Sequence, residues 1–169
     1  MEIINGERLV LGTCYYPEHW DESLWRDDLK RMLENGIEVI RIAEFAWSKI
    51  ERYEGVFNYD FFDRFLDVAA DMGMKVIFCT PTATPPAWLT EKYPEVLNAN
   101  MDGVLYRHGG RRHYNYNSPK YQELTTIIVE KSASHYAKHP AIIGWQIDNE
   151  LNCEKNEFYS ESDTIAFRK

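Results

Sequence analysis

Ala141-Ile-Ile-Gly-Trp-Gln-Ile147, followed at once by Asp148-Asn149-Glu150, is the stretch that decides how this chain is read. Its mostly apolar residues, bounded upstream by His139-Pro140, have the length and composition of a buried strand. Asn149 and Glu150 then put an amide and a carboxyl group at the strand's carboxyl end. That is where a barrel of parallel strands keeps its chemistry.

The same pattern recurs upstream. Leu9–Tyr15 reads as a short apolar strand. Asp21–Asn35 carries apolar residues at Trp25, Leu29, Met32 and Leu33, the spacing of a helix with one buried face. Asp21 suits its start and Gly36 its end. Ile37–Ala43 is the second strand. Asp60–Met72 repeats the helical pattern through Phe62, Phe65, Leu66 and Ala69, between Asn58 and Gly73, and Met74–Thr80 is the third strand. Ser118-Pro119 opens a helix with Ser as cap and Pro in the first turn. Tyr121, Leu124, Ile127 and Ile128 give that helix its apolar face, and it is predicted to run to about Lys138. Between lies Pro81–Asn117, rich in Pro, Thr, Asn and Gly, with a short helix predicted near Pro86–Glu91. A connection of that length inside a compact domain points to function. The order is βαβαβαβ with mostly apolar strands, which implies a parallel sheet covered by helices. We read residues 1–169 as one α/β domain. A complete barrel takes about 250 residues and only four strand–helix units fit here.

Composition excludes several function classes. The net charge of -8 disfavours nucleic acid and anionic membranes, since phosphates need cationic clusters and only Arg107, Arg111 and Arg112 form one. No apolar run approaches the ~20 residues of a membrane span, and the start lacks a signal-peptide core, so a cytoplasmic protein is expected. Cys14, Cys79 and Cys153 form no CxxC and suggest no disulfide framework. Cys14 and Cys79 lie in strand-like runs and are read as packing residues. Most of the five tryptophans are read as core.

Polar residues collect after each strand: Tyr15, Tyr16, Glu18 and His19; Arg41 and Glu44; Thr80 and Thr82; Asp148, Asn149 and Glu150. Carboxylates for acid and base work, Arg and Asn for hydroxyls and aromatic faces for rings are what a sugar pocket needs. The same set could also hold a structural ion-pair network, with Arg41 the partner of Glu44 or Glu18. His19 and His113 are read as structural hydrogen-bonders.

The ordered motifs Gly12-Thr-Cys-Tyr-Tyr-Pro-Glu-His-Trp20, Arg41-Ile-Ala-Glu-Phe-Ala-Trp-Ser48, Thr80-Pro-Thr-Ala-Thr-Pro-Pro-Ala-Trp88, Gly109-Gly-Arg-Arg-His-Tyr114, Asn117-Ser-Pro119 and Asp148-Asn-Glu150 resemble those of the family 42 glycoside hydrolases. The resemblance implies a retaining β-galactosidase built on a (β/α)₈ barrel, of which residues 1–169 would be the N-terminal half. It makes Glu150 the general acid/base, Asn149 the residue bonded to the sugar hydroxyl beside the anomeric carbon, and Arg111 and Arg41 substrate-binding arginines. Glu44 and Trp47 are expected to support the pocket. The expected partner is a β-galactoside or another small carbohydrate, and no cofactor is expected.

Two departures stand out. Many relatives carry a four-cysteine zinc site, with one Cys after a His-Tyr pair and the others after the Asn-Glu motif. Here Asn115 follows His113-Tyr114 and Cys153 is the one cysteine after Glu150, so no metal site is expected. A retaining mechanism also needs a second carboxylate about 5–5.5 Å from the first. In the family it lies on the seventh strand, and none of Glu18, Glu44 and Asp148 matches its motif. The isolated chain is therefore expected to be inactive, and an open half-barrel to self-associate or to pair with a complementing C-terminal half. Two alternatives stay open: an inactive sugar-binding or interaction remnant, and a related glycosidase acting on another sugar.

Overall fold

The computed structural model describes residues 9–110, 112–151 and 157–169. Strand β1 (Leu11–Cys14) leads through a 3₁₀ turn at Glu22–Leu24 into helix α1 (Trp25–Glu34). The Asp21 carboxylate accepts the Ser23 amide at 2.9 Å and so starts this turn. Strand β2 (Ile37–Ile42) follows. Then come α2 (Trp47–Ile50) and an antiparallel ribbon, β3 (Glu51–Tyr53) and β4 (Val56–Phe57), before α3 (Asp60–Asp71) and strand β5 (Lys75–Cys79). None of these three small elements shows a period in the sequence, because none is long enough to repeat its own pattern twice. The ribbon is fixed by Glu51, a buried carboxylate that accepts Trp47 Nε1 at 2.7 Å and the Gly55 amide at 2.8 Å.

The long connection after β5 contains α4 (Ala87–Lys92) and folds back on itself through the Leu97–Tyr114 and Ala99–Leu105 bridges. Helix α5 (Pro119–Tyr136) starts where expected, with Ser118 Oγ accepting the Tyr121 amide. Its buried face is Tyr121, Leu124, Ile128, Ser132 and Tyr136, a strict one-turn repeat. Ile127 is exposed, contrary to the expected face, because it sits one position off that repeat. Strand β6 (Ile142–Gln146) ends one residue before Ile147, which is exposed. Helix α6 (Glu161–Phe167) opens with a capping box between Ser160 and Asp163.

The four longer strands form one parallel sheet in the order β1-β2-β5-β6. On β2 and β5 the even-numbered residues Ile40, Ile42, Val76 and Phe78 are fully buried beneath the helices. Trp25 meets Phe61 and Phe65 edge-on at 5.2 and 5.1 Å, and Phe78 lies 4.8 Å from Tyr136. This apolar layer, with α1 against β2 and α3 against β5, is the core. The opposite face carries Cys14, Arg41 and Gln146. The strands are not all buried on both faces: β1 is exposed throughout and β6 is half-buried, since each has a sheet neighbour on one side only. Cys14 is accordingly exposed rather than packed, while Cys79 is buried.

Candidate active site

The carboxyl ends of the four strands share one rim, and their polar side chains form a continuous chain of bonds across it. Arg41, on the face away from the helices, reaches three groups. Its Nη2 lies 2.6 Å from Glu44 Oε2 and donates to Cys14 Sγ at 3.0 Å, and its Nη1 donates to Gln146 Oε1 at 2.7 Å. Burial works against the Arg41 charge, but Glu44, Cys14 and Cys79 together hold its pKa above the usual arginine value. Arg41 is thus a fixed cation, partnered by Glu44 as one of the two readings of the sequence allowed.

Asp148 is buried and holds the strand end. Its Oδ2 accepts the Thr82 hydroxyl at 2.9 Å, and its Oδ1 accepts the Asn149 amide at 2.6 Å and lies 3.5 Å from Arg112 Nη1. Its own amide donates to Thr80 Oγ1 at 2.7 Å. The threonines noted at the end of the third strand therefore anchor the fourth. Asn149 is held again through its carbonyl, which accepts from Arg112 Nη2. Arg112 is a rim residue that the sequence reading assigned no role. It is buried and also donates to the hydroxyls of Tyr114 and Tyr116. Its neighbour Arg111, the arginine singled out by resemblance, lies outside the described residues.

The backbone here is unusual. Four non-glycine residues have positive φ among the described residues: Ala43 at 71°, Arg112 at 56°, Asp148 at 54° and Glu150 at 45°. Ala43 directly follows β2, Asp148 lies two residues past the end of β6, Glu150 sits two residues further on, and Arg112 comes from the long loop. Side chains rarely tolerate this region, and such strain clusters at functional sites.

Two cavities meet at Asn149. The larger, about 590 Å³ and open, is lined by Arg41, Gln146, Asp148, Asn149 and Glu150 among others. Glu150 is exposed at its mouth. The smaller, about 260 Å³, is lined by Phe45, Thr84, Pro85, His108, Arg112 and His113 as well as Asn149. Phe45 stacks on Tyr16 at 6.0 Å, which supplies an aromatic wall. Trp47 is fully buried, its indole on Glu51. His113 Nδ1 lies 2.6 Å from the Gly110 carbonyl, so the proton sits on that nitrogen, and burial lowers its pKa and keeps the ring neutral. His113 is structural in the way the sequence suggested. His19 is exposed and packs beside Tyr16 at 5.3 Å. Three of the four sequence-predicted site residues, Arg41, Asn149 and Glu150, therefore line one cavity. It offers a fixed cation, an amide and a carboxyl group within one polar rim.

Comparison with known proteins gives a consistent answer. The glycoside hydrolase family 42 profile, described as β-galactosidase, matches residues 14–169. β-Galactosidase Bga of Halorubrum lacusprofundi is 42% identical over 159 residues, covering 94% of this chain and 23% of the relative. β-Galactosidase BgaA of Thermus sp is 45% identical over 144 residues, covering 85% and 22%. The crystal structure of the β-galactosidase from the psychrophilic Marinomonas ef1 superposes with a TM-score of 0.91 at 42% identity, covering 95% of this chain and 24% of that one. The chain spans about a quarter of the length of these relatives. Its sheet is a part of their (β/α)₈ barrel, consistent with four strand–helix units of a half-barrel.

Proposed function

The chain belongs to glycoside hydrolase family 42, and from that premise we propose that it carries the acid/base half of an active site hydrolysing terminal non-reducing β-D-galactosides with retention. The observation that carries the reading is that Arg41, Asn149 and Glu150 line one cavity at the carboxyl ends of parallel strands. Glu150 protonates the glycosidic oxygen as the bond to the leaving group breaks, then takes a proton from the water that releases the sugar. Asn149 holds the 2-hydroxyl, a bond that strengthens in the transition state. Arg41 and Arg111 hold further hydroxyls with rigid, permanently charged donors.

The nucleophile is not among the nearby carboxylates. Asp148 has both oxygens bonded within the protein, and Glu44 is buried against Arg41. Burial raises the pKa of Glu18, and neither it nor the other two matches the nucleophile motif of the family. In this reading the second carboxylate is contributed by a complementing half of the barrel. Exposed Leu11 on β1 and Ile147 beyond β6 support pairing of these edges with a complementing half or a second copy. Size-exclusion chromatography at several dilutions reads this: a monomer at every dilution counts against it.

The test is hydrolysis of a nitrophenyl β-galactoside, with calorimetric titration of galactose alongside. The chain alone is expected to bind galactose saturably without turnover. Fused to the remainder of a relative's barrel it should turn over, and Glu150→Gln should lower kcat by about 10²–10⁴. Turnover indifferent to Glu150→Gln would remove Glu150 from the mechanism. A chain that binds no galactose would sink the pocket itself.

A further inference from the structure

Gln146 is the polar residue inside the apolar run of β6, and its side chain stands between two groups of opposite demands. On one side Arg41 Nη1 lies 2.7 Å away. A guanidinium has donors and no acceptor, so the Gln146 atom facing it must be the oxygen. The Gln146 nitrogen is thereby turned the other way. There it donates to the Asp148 carbonyl at 2.8 Å and to Asn149 Oδ1 at 3.4 Å. A backbone carbonyl can only accept, so both ends of the Gln146 amide are fixed independently by partners of one polarity.

We propose that Gln146 is a positioning residue that sets which way the Asn149 amide faces. Asn149 Oδ1 is engaged by Gln146, so Asn149 Nδ2 is the end presented to the cavity. Asn149 therefore offers donors to a ligand and discriminates for a hydroxyl oxygen that accepts. The polarity originates at Glu44, which sits 2.6 Å from Arg41 and keeps that cation in place. It passes through Arg41 and Gln146 to Asn149, across β2 and β6. The main chain of Asn149 is also held by Asp148 and Arg112, and Gln146 adds a bond to the Asp148 carbonyl beside the one to the Asn149 amide. The inference rests on the sugar-binding reading of this cavity and adds to it the origin of selectivity at the 2-position.

The experiment titrates galactose and 2-deoxygalactose calorimetrically into the chain and into Gln146→Glu. The unsubstituted chain should prefer galactose about tenfold, the worth of roughly one hydrogen bond. In Gln146→Glu the carboxylate still satisfies Arg41 but has no proton to give Asn149 or the Asp148 carbonyl. The preference should fall to about one, with the affinity for 2-deoxygalactose changed little. Gln146→Met, which keeps the length and loses the amide, should lose the preference as well, and carries the test if the Glu variant does not fold. A tenfold preference retained in the folded variants would overturn the role of Gln146 and leave the pocket standing. Equal affinity of the unsubstituted chain for both sugars would overturn the assignment of Asn149 and the inference with it. No binding of either sugar would sink the sugar-binding reading first.

Discussion

The two ends of the sheet solve the same geometric problem with different residues. Where α1 and α3 hand over to β2 and β5, the chain turns through positive φ at Gly36, 78°, and Gly73, 75°. Glycine adopts this conformation without a steric penalty, and these turns are ordinary helix ends. At the opposite rim, Ala43, Asp148 and Glu150 take the same region with a side chain attached. Each costs on the order of 1 kcal/mol or more, offset by the surrounding structure. One end is built for cheap closure, the other holds side chains where a relaxed backbone would not. The difference locates function before any residue is assigned a role.

This contrast can be broken in order of effect. The largest change is expected from Arg112→Ala, which leaves Asp148 buried without its cation and both tyrosine hydroxyls without their donor. A loss of about 3 kcal/mol should appear in denaturant unfolding. A loss under about 1 kcal/mol would show that the rim does not depend on it. Gly73→Ala should cost about 1–2 kcal/mol from φ alone, since nothing crowds a Cβ there. Glu150→Gly should do the reverse: a gain of up to about 1 kcal/mol in stability with loss of any acid/base function. A destabilised Glu150→Gly would mean that Glu150 supports the fold, and the comparison of the two ends would lose its sharpest case.

The smallest effect is on pH. Burial keeps His113 neutral in the folded protein, below its ordinary pKa of 6.5. As pH falls through about 6.5 the unfolded chain takes up that proton first. Stability from the neutral ring is full above this pH and declines below it. His113→Asn should flatten the fall in melting temperature between about pH 6.5 and 5, and an unchanged slope would place the pH dependence elsewhere.

The sheet and its three long helices were legible because burial imposes periods of two and 3.6 on the sequence, and Trp25, Leu29, Phe62 and Phe65 follow them. The carboxyl-end carboxylates were legible because they fall where the apolar runs stop, and Arg41 because its charge interrupts the apolar run of β2. The ribbon of β3 and β4 was not, since strands of three and two residues carry no period. Nor could the sequence separate Arg112 from Arg111. The burial of Arg112 depends on Asp148 and Asn149, 36 and 37 residues away, and no local pattern encodes such a partner. Gln146 was visible as a polar residue inside an apolar strand, a signal that a search for apolar periodicity passes over. Positive φ outside glycine leaves little compositional trace: Asp148 is of a type that tolerates it, but Ala43, Arg112 and Glu150 are not.

Cys14 gives the rim a built-in chemical reporter. Its exposed sulfur touches the same guanidinium that the sugar is proposed to engage, whereas the Cys79 thiol is buried and pushed up to about 12. Reactivity toward a small alkylating reagent should differ widely between these two. Labelling at Cys14, followed by mass spectrometry of its peptide, can then report occupancy of the cavity directly. Saturating galactose should slow it through the shared arginine, with no substitution introduced and no turnover required.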